Sequence, residues 1–191
     1  MPGCDAWQRL QVGCSGLQYA RLVIQCRFLS WCACEPCELQ AVCRSGHKGD
    51  RQQHCVECNG VEFSGNLHPN LLVNHGASAK ATGCAFDNSK VYGCWVKGVL
   101  SKLSAVRCTF SGNEWCGVKV EQGSSAGLKE CVLNGNQEVG LFVLANGATT
   151  TCTASSCELN SNQEYGMEAD GIEAQVHMME CVSCRNSMHN I

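Results

Sequence analysis

Four cysteines in the first third of the chain, Cys34, Cys37, Cys55 and Cys58, have the spacing of a four-thiolate zinc site. They form a Cys-x-x-Cys pair, 17 intervening residues and a second such pair. His47 and His54 stand nearby as spare nitrogen ligands. A second group of chemistry-bearing residues lies in the C-terminal half. Glu121, Glu168 and Asp170 offer carboxylates for acid and base work, Lys119 a base or charge stabiliser, and Trp95 and Phe142 flat apolar platforms. In an extended strand Glu168 and Asp170 point to one side, about 7 Å apart. At that separation one carboxyl can protonate a leaving group while the other activates water. No nucleophile motif built on Ser or Cys and no phosphate-cradling Gly loop is present.

These groups act together only if the backbone brings them together, and composition limits how it can. The 191 residues include 18 Cys, 20 Gly and 3 Pro, and the formal net charge is −3. Charged residues make up 16%, against about 25% in an average globular domain. With 45% hydrophobic residues, the chain has the material for a core and not the signature of disorder. The acidic balance and scattered Lys and Arg exclude an electrostatic footprint for nucleic acid. The most apolar early stretch, Leu17 to Ala33, is broken by Arg21, Gln25 and Arg27, so it does not read as a membrane span. The start, Met1-Pro2-Gly3-Cys4-Asp5, lacks the basic and apolar regions of an export signal. An intracellular, reducing setting such as the cytoplasm is therefore the expectation, with thiols rather than disulfides.

An internal repeat decides the architecture. CTFSGNEWCGVKV from Cys108, CVLNGNQEVGLFV from Cys131 and CELNSNQEYGMEA from Cys157 share Cys, then Asn five residues on, then Gly nine residues on. Extended in both directions, the frame anchors at Cys14, Cys37, Val61, Cys84, Cys108, Cys131, Cys157 and Cys181, with spacings of 23–26 residues. Within each repeat, positions −5, −3, 0 and +2 from the anchor, and +1 and +3 from the Gly slot, face one way if three short strands are present. From Val61 to Cys157 all 30 such positions are apolar. One repeat reads Leu103, Ala105, Cys108, Phe110, Val118, Val120. No 3.6-residue period competes, so the elements are strands.

Three strands per repeat, stacked coil on coil at about 4.8 Å, make an all-β parallel solenoid of about seven coils. Anchor cysteines would form a column of free thiols, because stacked Cβ atoms lie beyond the roughly 3.5–4.5 Å that a disulfide uses. Asn66, Asn113, Asn136, Asn162 and Asn186, with Ser89 in one gap, would form a ladder. Asn tolerates the left-handed region and its amide can bond the next coil. The Gly slot is expected to supply a conformation closed to side chains. The frame also counts against zinc: Cys58 and Cys34 share an inward column, Cys37 lies in the anchor column, and Cys55 points outward or sits in a turn. No cofactor is expected.

The pattern C-x-L/F-x-G/S-N-x-x-x-G-[VL]-x-V resembles the repeat of the right-handed parallel β-helix superfamily, which includes pectate lyases. The resemblance spans Cys37 to Asn190 and implies the right-handed, single-stranded form of the solenoid. It also directs attention to one outer face, where polysaccharide-active members carry their substrate groove. On that face one column reads Leu72, Trp95, Lys119, Phe142, Glu168, and its neighbour reads Asn74, Lys97, Glu121, Leu144, Asp170. The superfamily's catalytic signatures (the Asn-Thr-Asp, Asp-Asp and Gly-His-Gly set, or Arg-Pro-x-x-Arg) are absent.

The expected function is a non-catalytic binding or scaffold module that presents Trp95, Lys119, Phe142 and Leu144 to a protein partner. The alternative is a polysaccharide lyase or glycoside hydrolase using Glu121, Glu168 and Asp170. Residues 1–13 are expected as a cap or irregular segment and 14–191 as the solenoid. Its last coil is incomplete at Ile191, where a partner or further coils are expected to dock.

Overall fold

A computed structural model describes residues 55–188, together with the backbone of Val23–Ile24 and Leu39–Val42. Strands fall where the alternation of apolar and polar residues places them. Three strands per coil build three sheets. The first sheet contains β1 (Val23–Ile24), β2 (Leu39–Val42), β5 (Leu71–Asn74), β8 (Cys94–Lys97), β10 (Val118–Glu121), β12 (Leu141–Leu144) and β14 (Met167–Asp170), in that order. The second runs β3 (Cys55–Asn59), β6 (Ser78–Thr82), β9 (Lys102–Val106), β11 (Ser125–Lys129), β13 (Thr150–Ser155) and β15 (Ala174–Met179). The third pairs β4 (Glu62–Ser64) with β7 (Ala85–Asp87) and continues as single bridges, Ala85 to Thr109, Val132, Glu158 and Val182. From β2 onward all pairings are parallel. Among the described residues there is no helix.

The described residues form about five turns of the solenoid, fewer than the seven that the frame predicts. The frame departs at its N-terminal side. There, β1 pairs antiparallel with β2, and β2 sets Leu39, not His47, opposite Leu71. The physical reason lies in the slots: five residues after Cys37 stands Val42, which has no amide for the ladder. Asn66 Oδ1, at that edge, is buried with no hydrogen-bond partner. Residues 1–13 and the cysteines Cys34 and Cys37 lie outside the described residues.

The interior follows the frame. Leu103, Ala105, Cys108, Phe110, Val118 and Val120 are all buried, as are Ala126, Leu128, Cys131, Leu133, Leu141 and Val143 in the next coil. Phe63, Phe86 and Phe110 stack with centroids 5.5 and 5.2 Å apart. The described anchor cysteines, Cys84, Cys108, Cys131, Cys157 and Cys181, are free thiols. Each donates to the carbonyl two residues before it, as Cys131 does to Lys129 at 3.3 Å and Cys157 to Ser155 at 3.3 Å. The apolar column thus satisfies its weak donors locally. At the last coil Met167 and Cys181 are only partly covered and Ala169 is exposed.

The ladder is present and its chemistry is specific. Asn113 donates both its backbone N–H and its Nδ2 to Asn136 Oδ1 at 3.0 Å. Asn136 does the same to Asn162 at 3.0 Å, and Asn162 to Asn186 at 2.8 and 3.2 Å. Two expectations about backbone conformation are corrected. The left-handed residues are not the ladder Asn but those just before them: Gly65, Asn88, Gly112, Gly135, Ser161 and Arg185. A second left-handed column precedes the anchors, as at Arg107 and Glu130. Among the described residues the Gly slot has no positive φ; it is small because coils meet there. A Cβ on Gly117 would lie 2.7 Å from the carbonyl oxygens of both Gly140 and Phe110.

Candidate functional site

On the outer side of the first sheet the register brings Leu72, Trp95, Lys119, Phe142 and Glu168 into one row across five strands. Lys97, Glu121, Leu144 and Asp170 form the parallel row. The turn just ahead of each Gly slot folds over the edge of this face. It lays Tyr92, Cys116 and Val139 against Trp95, Phe142 and Tyr165 as a second, smaller apolar cluster. Trp95, Phe142 and Leu144 are therefore half-buried, not the fully exposed strip that alternation alone implies.

Lys119 lies at the centre. Its Nζ is 3.3 Å from Glu121 Oε2, and the two side chains are only 16% and 8% exposed. It donates to the Tyr92 hydroxyl at 3.4 Å and lies 5.3, 5.9 and 5.5 Å from the ring centres of Tyr92, Trp95 and Phe142. Trp95 Nε1 donates to Glu121 Oε1 at 3.1 Å, and Lys97 covers the Trp95 ring at 3.7 Å. Ring faces and a carboxylate thus hold the ammonium from several sides. Burial pulls the Lys119 pKa down, but Tyr92 and Glu121 outweigh it and hold it above the ordinary lysine value. Burial pushes the Tyr92 phenol up, with Lys119 opposing. Cys116, buried beside Glu138, is pushed up to about 12, chiefly by burial.

The three predicted carboxylates have different surroundings. Glu121 has both oxygens committed, one to Trp95 and one to Lys119. Asp170 is exposed, and Glu168 is partly buried next to it. Burial, then the charges of Glu164, Asp170 and Glu138, raise the Glu168 pKa above the usual carboxylate value. Of the cysteine set only Cys55 and Cys58 fall among the described residues. In β3 the buried Cys58 and the partly exposed Cys55 point to opposite sides, and burial pushes the Cys58 thiol up to about 11. Among the described residues no three of His, Cys, Asp and Glu come together to hold a metal ion.

A family model described as "Right handed beta helix region" matches residues 30–186. The chain belongs to this family. The match covers β2 to β15 and supplies the hand of the coil. Searches of curated proteins and of solved structures found no match. Among the described residues no helix is long and apolar enough to cross a membrane.

Tyr92, Tyr165, Glu138 and Glu164 belong to this site and lie outside the inward frame, so strand alternation passes over them. A signal for them exists. The residue before the slot is Tyr92, Cys116, Val139 and Tyr165 in four successive coils, a column too apolar for a solvated turn.

Proposed function

We propose that this β-helix is a binding module that presents the outer face of its first sheet to a protein partner, with Trp95, Lys119, Phe142 and Leu144 at the centre of the surface. The observation that carries this reading is the pairing of Lys119 with Glu121. The two groups best placed for proton transfer neutralise each other, and both Glu121 oxygens are already engaged. A preorganised, partly apolar face built around aromatic rings is the composition of a contact surface. A carbohydrate-active reading remains for Glu168 and Asp170 alone, supported by the raised pKa of Glu168, which suits a general acid.

A photo-crosslinking amino acid at Leu144, compared with one at Ser104 on the outer side of the second sheet, tests the face. Crosslinks to a polypeptide from position 144 only, lost when Phe142 is changed to Ala, are the expected outcome. Equal crosslinking from both positions would contradict it.

A further inference from the structure

The same face carries a second version of the Lys119 arrangement, two coils further on. Tyr165 occupies in its coil the position that Tyr92 occupies three coils earlier, directly before the Gly slot. Phe142 lies between the two arrangements: its ring faces Lys119 on one side, and its strand neighbour on the other is Glu168. Around Tyr92 the fold supplies rings, a carboxylate and a cation. At Tyr165 and Phe142, which pack on the same small cluster, it supplies the carboxylates Glu138, Glu164, Glu168 and Asp170 and, among the described residues, no paired cation. Among the described residues no Lys or Arg pairs with Glu164, Glu168 or Asp170.

The absence extends to the whole end of the solenoid. Of the chain's 14 Lys and Arg only Arg185 follows residue 130, while seven of the 17 Asp and Glu do. Like charges gathered on half-buried positions cost free energy unless an opposite charge is brought to them.

We infer that the face formed by Phe142, Tyr165, Glu164, Glu168 and Asp170 docks a basic protein segment, taking one of its Lys or Arg side chains against the rings as Lys119 is taken in the chain itself. This rests on the binding-module reading and names the partner's chemistry. The Glu168 pKa, raised by burial and then by the charges of Glu164, Asp170 and Glu138, agrees with it, since an incoming cation would offset that second cause. Coulomb attraction speeds encounter and the rings select the cation's position.

The test is fluorescence anisotropy of the full chain with a labelled twelve-residue peptide of alternating Lys and Ser, and with its Glu-Ser counterpart. The Lys peptide should bind, more weakly as salt rises, and the Glu peptide should not. The double variant Glu164→Gln/Glu168→Gln should lose at least tenfold in affinity, and Phe142→Ala should lose affinity with all four carboxylates intact. A charge-matched control, Glu158→Gln/Glu180→Gln, should change it less than twofold. No binding of the Lys peptide, or equal loss in the two double variants, overturns the inference. If that happens while Leu144 crosslinking stays face-specific, the partner's chemistry is wrong and the binding face stands. If both fail, the binding reading falls with it.

Discussion

At the scale of single residues, the slot glycines show how a small side chain is demanded by approach rather than by backbone angle. A Cβ on Gly140 would sit 2.6 Å from Gly166 O, 2.9 Å from Asn162 Nδ2 and 3.0 Å from Leu133 O. None of these can move without parting two coils. Gly140→Val is expected to cost about 3 kcal/mol or more, since backbone on both sides must shift. Ser125→Val, on a half-buried outer position of β11, should change stability by no more than about 0.5 kcal/mol. Urea unfolding of the two variants distinguishes them, and equal losses would remove the close-approach account. The position of these glycines was readable from the repeat, but their reason was not. Sequence spacing reports which residue recurs, and the distance between coils appears only once they are stacked.

Strands and turns carry different amounts of information about themselves. The inward columns were legible because a strand has a period of two and the anchor restarts it in each coil. The Asn ladder was legible too, yet its geometry differs from the expectation: the left-handed residue is the one before the Asn. That shift lets the Asn side chain and its own backbone N–H both lie along the stacking direction. Asn136→Ala would leave the buried Asn113 N–H without an acceptor and cut the bond to Asn162. A cost of about 2–4 kcal/mol is expected. Gln137→Ala, an exposed neighbour, should be close to neutral. Thermal unfolding of the pair checks this, and a neutral Asn136→Ala would mean the ladder is decorative. The turn cluster at Tyr92, Cys116 and Val139 was the part least legible, because a turn has no period to betray which of its residues fold back over the sheet.

Over the whole molecule, the solenoid converts a repeat of 23–26 residues into rows of side chains whose register is fixed by backbone pairing. Function on such a scaffold resides in whichever row departs from the average surface. In the function proposed above that is the outer row of the first sheet, with Lys119 and Glu121 buried against each other, aromatic rings on both sides, and carboxylates gathered towards the last coil. The fold class could be read from the sequence because every coil repeats it. The candidate site could not be read in full, because groups that complete it, such as Tyr92 and Tyr165, come from turns.

The most direct test of the account is product release from a panel of acidic and neutral polysaccharides, with and without calcium, followed as new reducing ends or unsaturated products. A binding module with Glu121 tied to Trp95 and Lys119 should release nothing above the blank. Turnover by the intact chain that disappears in Asp170→Asn would contradict the account and make the same face an active site.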